Sequence, residues 1–478
     1  MAEKKQKRLI LMDTSTTTVV IVGGGFSGSV TALHLLRDTK NSNLRVTIID
    51  PAAHLGRGLA YRFDDDNLLL NVPAGNMSAF ADDNSHFVSY CQSIDPSITS
   101  RSFVSRRLYG CYLQHTLDCA SNTRPEALAR VTDAAIGVDR DVATGRWHIQ
   151  LASGGGMTAD HVVLALGHQA SKFPFTMDAE ARAHLVEPWD MDSMQRIPPD
   201  SSVMILGTGH TAVDALFNLT RTNRQRKVCL VSRHGLFPKE HRLNPQPPAA
   251  HGLPAYLLHT VPTVRGYIRA VRQEVARQQA AGIDWRDVLN ELRPHTPQFW
   301  LALPPTQRRI FLRHLQPYWD IHRHRLAPVA AHRLFSLLQT ASIEVFAARL
   351  TNIRRDDAGL HIELRRRGAA TCENIRVAAI VNCTGPNTDI HTVAQPLIQQ
   401  LLSAGMVQAD ACKLGINVTT SYQALTTDNT PVAGLWYVGP MLKAQHWEAT
   451  AVPELRLHAE QLAKAILTSL ERNSIGGL

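Results

Sequence analysis

Residues 18–50 read TVVIVGGGFSGSVTALHLLRDTKNSNLRVTIID, and this stretch decides the fold. Val19 to Val22 form a short β-branched run of the kind that lies buried in a parallel sheet. Gly23, Gly25 and Gly28 follow in G-x-G-x-x-G spacing, then a helical pattern through Leu33, Leu35 and Leu36. A second apolar run, Val46 to Ile49, ends in the acid Asp50. The three glycines serve different ends. Gly23 permits the tight turn, Gly25 admits a pyrophosphate close to the backbone, and Gly28 lets helix pack on strand. The pyrophosphate is expected at the helix N-terminus, beside Phe26 and Ser27, where unpaired N–H groups and the dipole favour an anion. Asp50 is placed to accept hydrogen bonds from a ribose hydroxyl.

The pattern returns downstream. Ser202 to Leu206 is an apolar strand, and Gly207-Thr-Gly-His-Thr-Ala212 repeats the turn as G-x-G-x-x-A, with Gly209, His210 and Thr211 at the expected helix start. The following strand, Lys227 to Val231, ends in Ser232-Arg233 and not in an acid. A carboxylate there would repel a ribose 2′-phosphate, whereas Ser232 and Arg233 can hydrogen-bond and neutralise one. The pair of unlike sites therefore reads as FAD in the first and NADPH in the second.

The rest of the chain is organised around these two motifs. The Gly56-Arg57-Gly58 loop is expected near the adenosine end of the first dinucleotide, with Arg57 either on its phosphate or in solvent. Leu68 to Leu70 read as a strand running into Asn71 and Pro73, with Met77 behind, either a flavin-facing turn or an ordinary loop. Two further strands end in glycine turns, at Gly167 and Gly385, and a third leads to Gly439 and then Trp447. The expected fold is α/β: two interleaved Rossmann-like three-layer dinucleotide-binding domains with a helical insertion. Its expected parts are a polar tail over 1–16, the FAD domain over 17–196 completed by 384–478, and the NADPH domain over 197–383 with the insertion at about 240–345.

The chain has 478 residues and a net charge of +9, which favours anionic small molecules such as dinucleotides and a carboxylate or urate-like substrate. Basic residues are scattered except at Lys4–Arg8, Arg365–Arg367 and the aromatic-rich cluster 308–325, so nucleic acid is not an expected partner. That cluster reads as a cationic, aromatic-walled substrate pocket, as part of the nicotinamide site, or as a solvated helix face; His322 and His324, two apart on a helix, make a poor metal pair. Seven cysteines without a C-x-x-C pair argue against a dithiol centre and fit a reducing compartment. No apolar run reaches membrane-helix length, and the expected location is the cytoplasm.

Together, VVIVGGGFSG, GRGLAY, LLLNVPAGNMS, FVSRRLYGCYL, VMILGTGHTAVD, DWRDVLNELRP, YWDIHRHR, VNCTGP and WEATAVPELR resemble the bacterial FAD/NAD(P)-binding oxidoreductase family. Its domain type is shared by flavin-dependent urate hydroxylases and aspartate N-oxygenases. The resemblance implies FAD at Gly23, Gly25, Gly28 and Asp50, and NADPH at Gly207, Gly209 and Arg233. It also implies a monooxygenase that passes one atom of molecular oxygen to a small polar, anionic substrate, with no catalytic dyad required. The Baeyer–Villiger fingerprint F-x-G-x-x-x-H-x-x-x-W is absent. An NADPH-dependent reductase or dehydrogenase is the alternative enzyme, and a redox or nucleotide sensor the alternative outside catalysis.

Overall fold

The computed structural model describes residues 16–37, 43–242, 252–356 and 359–476. The polar tail of residues 1–15 and the proline-rich stretch 243–251 lie outside them. The first motif folds as β1 (Thr17–Val22), the helix Phe26–Arg37 and β2 (Leu44–Ile49). β1 pairs in parallel with β2 on one side, Val22 opposite Ile49, and with the strand His161–Leu164 on the other, Val22 opposite Leu164. The six-stranded sheet places Leu128–Val131 beyond β2, and Pro431–Tyr437 then Gln423–Leu425 beyond His161–Leu164. Sequence-distant strands therefore complete one sheet.

The faces of that sheet are covered differently. The helix Phe26–Arg37 packs on the C-terminal helix Val452–Gly476 and on the helix Arg106–Thr123. Against the opposite face lies a three-stranded antiparallel sheet, Ala135–Arg140, Trp147–Leu151 and Gly156–Ala159, which buries Trp147 and Ile149. The expected strand over Leu68–Leu70 is a single bridge, Leu69 to Ser105, followed by the short 3₁₀ turn Ala74–Asn76. Pro73 has no N–H to give a ladder, so the turn takes over.

The second motif folds as Val203–Leu206, the helix His210–Leu219 and Val228–Ser232. Side-chain alternation splits each strand between two cores: Val203, Ile205, Val228 and Leu230 face one, Met204, Leu206, Cys229 and Val231 the other. This sheet adds Ala379–Asn382 and Leu185–Val186 at one side and Ile343–Asp356, Gly359–Arg366 and Cys372–Val377 at the other. The pair Leu185–Val186 lies upstream of the expected boundary at 197, because its backbone completes the edge of the second sheet beside Ile380 and Val381. Helices dominate the insertion, including Val264–Ala280, Trp285–Leu292, Thr296–Ala302 and Gln316–Arg323. No helix among the described residues is long and apolar enough to cross a membrane.

Candidate functional site: two nucleotide cradles and the cleft between them

The two glycine turns are built alike. Gly23 has φ +108° and Gly207 φ +128°, both in the region that favours glycine. A Cβ on Gly23 would lie 2.2 Å from the Ala165 carbonyl oxygen, and one on Gly207 would lie 2.2 Å from that of Cys383. Each turn is tied to the next strand through its N–H, Gly23 to Ile49 O at 2.9 Å and Gly207 to Val231 O at 2.8 Å. Gly28 is the packing glycine, since its Cβ would lie 1.9 Å from Gly23 O.

The middle glycines face free volume instead. A Cβ on Gly209 meets nothing within 4 Å, and one on Gly25 meets only Gly58 Cα at 3.5 Å. Neither following helix carries an acid in its first turn, and no side chain caps the helix after Gly209. The N–H groups beginning each helix have no intrahelical partner, so both turns suit an anion such as pyrophosphate. Both cradles fit the dinucleotides expected of them.

The strand ends differ in charge. Asp50 accepts from Gly24 N at 2.6 Å and Ala52 N at 2.7 Å, which braces the first turn and leaves lone pairs for a ribose. Ser232 Oγ accepts from Gly235 N at 2.9 Å and from Thr208 Oγ at 3.0 Å. Beside it, Arg233 is exposed, and Arg367 Nη1 lies 3.0 Å from His234 Nδ1. Burial and then the cations Arg367, Arg233 and Arg349 hold His234 below the ordinary histidine range. Cations thus gather where the first motif has an acid.

Other elements converge on the cradles. Gly56 N donates to Gly24 O at 2.7 Å, which folds the Arg57 loop over the first turn. Arg57 Nε is buried without a hydrogen-bond partner among the described residues. Gly439, at φ +137°, brings the C-terminal segment to the same turn: its Cβ position is 3.9 Å from Ser27 Oγ. Gly167 and Gly385 have positive φ and open surroundings, and their loops meet, with Asn387 N donating to Gln169 O at 3.3 Å. Asn71 accepts from His241 Nε2 through its carbonyl at 3.1 Å, whereas Met77 is packed into the core. Trp447 packs against Trp300, at 4.6 Å between ring centroids.

Several groups at this junction carry no motif signal. Arg106 pairs with Asp214 at 2.7 Å across the two domains, and burial pushes the Asp214 carboxyl up against that cation. His168 and His210 are each brought down to about 4, His168 by burial and then Lys443, His210 by burial. Burial and then Arg325 bring His241 to about 3. These imidazoles are neutral near pH 7 and present hydrogen-bonding nitrogens rather than charge. His168 directly follows the Gly167 turn, the one cue the sequence offered.

The basic cluster 308–325 is largely engaged in structure. Arg323 is buried against Glu448 at 2.9 Å and lies 3.6 Å from Glu454, which also holds Arg293. Arg325 donates to Asn290 Oδ1 at 2.6 Å, and Arg308 closes carbonyls of Trp300, Leu301 and Leu303. His322 Nδ1 meets Tyr318 O at 2.7 Å, and no group of three potential metal ligands occurs among the described residues. The aromatic half of the expected pocket is present; of the cationic half, Arg308, Arg323 and Arg325 are held in structural contacts, whereas Arg309 and Arg313 are exposed.

Residues 20–169 match the model of a family described as FAD-NAD(P)-binding. The match covers the first cradle and confirms the resemblance over that span. No curated protein matches the sequence. Among solved structures, the chain is similar to the reduced form of an ornithine hydroxylase from Pseudomonas aeruginosa, with TM-score 0.65 at 15% identity over 95% of this chain and 100% of that one. It is also similar to an ornithine N-hydroxylase from Kutzneria sp. 744, described with reduced FAD, NADP+ and L-ornithine, with TM-score 0.65 at 13% identity over 96% and 100% of the chains. A bacillithiol disulfide reductase from Staphylococcus aureus follows with TM-score 0.55 at 12% identity over 95% and 99%. At these identities the likeness is one of fold.

Proposed function

We propose that this protein is an FAD- and NADPH-dependent monooxygenase acting on a small molecule. The observation that carries the reading is the duplicated cradle with opposite strand ends, Asp50 in one and Ser232 with Arg233 in the other. FAD is assigned to Gly23, Gly25, Phe26, Ser27, Gly28, Asp50 and Arg57, with Gly167 and Gly439 at its border. NADPH is assigned to Gly207, Gly209, His210, Thr211, Ser232 and Arg233, with Gly385 at its border. When bound, the flavin supplies hydride acceptance and oxygen activation; the chain orients the partners and keeps water out.

The ornithine hydroxylases named above support oxygen insertion over simple reduction, and they support molecular oxygen as co-substrate. The thiol alternative has little to build on: all seven cysteines are free, and burial raises the Cys91 and Cys229 thiols to about 12. An anionic substrate draws little support from the 308–325 cluster, where Arg308, Arg323 and Arg325 are already engaged.

The nicotinamide assignment has a direct test. Arg233→Ala is expected to raise the KM for NADPH at least tenfold and that for NADH less than twofold, because only NADPH carries the 2′-phosphate. Equal changes in steady-state NADPH and NADH oxidation would remove Arg233 from that role.

A further inference from the structure

A cavity of about 720 Å³ opens within the helical insertion. Its wall includes Val271 and Ile268 of the helix Val264–Ala280, Trp285, Trp300 and Trp319 of the following helices, and Trp447 of the C-terminal segment. Among the described residues, no carboxylate lines it, whereas Arg272 and His322 do. Its size is that of a small-molecule site rather than of a packing defect.

The floor belongs to the segment that follows the Gly439 turn. Trp447 lies on the segment that leaves the Gly439 turn, whose Cβ position is near Ser27 Oγ. Lys443, on the same segment, sets its ammonium 4.3 Å from the centre of the Trp447 ring and also bears on His168. Trp300 Nε1 fixes the wall to this floor by donating to Ala444 O at 2.9 Å. Through Lys443 the cavity floor approaches His168, next to the Gly167 turn.

A second observation points to an occupant. Trp319 Nε1 is a buried donor without a hydrogen-bond partner among the described residues, on a ring that lines the cavity. A buried donor left unsatisfied is costly, and a ligand acceptor would relieve it. A charged diamine or amino acid would find no counter-ion for its ammonium in such a chamber.

We propose that this cavity is the substrate chamber, and that it takes a molecule with a ring- or alkyl-rich apolar body and one hydrogen-bond acceptor. The inference rests on the monooxygenase reading above and names the substrate class of that reading. Titration of the FAD-loaded full chain with N-phenyl-1-naphthylamine, a neutral apolar fluorophore, tests it, with NADPH oxidation followed on the same samples.

Saturable binding of one probe per chain is expected, with affinity at least tenfold weaker in Val271→Asp. Ile268→Trp, which fills the cavity without adding charge, should weaken binding as much and guards against misfolding of the first variant. The bound probe should also change the NADPH oxidation rate at least twofold. Unchanged affinity in both variants, a non-saturating signal, or binding that leaves the rate untouched would overturn the chamber. So would a stable dimer that excludes the probe, which would make the apolar wall a self-interface. Probe binding with no NADPH oxidation would support the ligand site and overturn the oxygenase reading instead.

Discussion

Gly25→Val is expected to give a folded chain purified with less than a tenth of the wild-type flavin. A β-carbon at residue 25 meets only Gly58 Cα at 3.5 Å, an ordinary contact, so the backbone admits a side chain there. The branched side chain instead fills the volume in which a pyrophosphate reaches the helix N–H groups. Gly28→Ala is the contrast. Its Cβ would sit 1.9 Å from Gly23 O, so helix and strand must separate and the domain itself is destabilised. Flavin content by absorbance and unfolding of the flavin-stripped proteins separate the two effects. Full flavin in Gly25→Val would place the first nucleotide elsewhere.

The second large effect is expected at Glu448. Its carboxylate is 2% exposed and pairs at 2.9 Å with Arg323, which is 8% exposed. Burial pulls the Arg323 pKa down, with Arg293 adding to the effect, while Glu448 and Glu454 resist it. Glu448→Ala leaves the guanidinium buried with Glu454 as a more distant partner, at 3.6 Å. Breaking a buried pair from one side costs about 3–5 kcal/mol. A fall of several degrees in the melting midpoint should follow, together with weaker flavin retention, since this pair ties the insertion to the C-terminal segment. The double replacement Arg323→Met with Glu448→Leu should recover most of the loss, because both charges leave the interior together. A midpoint unchanged in Glu448→Ala would show that the pair does not hold the two parts together.

What the sequence made legible was local and periodic. The β-branched run before Gly23, the glycine spacing and Asp50 lie within one supersecondary unit, and the same holds for Val203 to Ser232. Their geometry follows from rules that act over a few residues. The strand-ending glycines at 167, 385 and 439 were also legible, because a positive φ after a strand leaves a glycine where other residues are strained. The cleft was not. His241 meets Asn71, Arg106 meets Asp214 and Arg323 meets Glu448 only through tertiary folding, and no spacing announces such encounters. Composition left 308–325 open between a cationic pocket and a solvated helix face, because the contacts of Arg308, Arg323 and Arg325 arise only through tertiary folding. Aromatic content in the same stretch was the better cue, since Trp319 does line the cavity.

The central claim is that electrons pass from a nicotinamide at the second cradle to a flavin at the first. Anaerobic mixing of the FAD-loaded protein with NADPH, followed by readmission of oxygen, tests it most directly. The account predicts that the flavin absorbance bleaches on mixing, faster with NADPH than with NADH, and returns when oxygen is admitted. A flavin that stays oxidised under excess NADPH would contradict it.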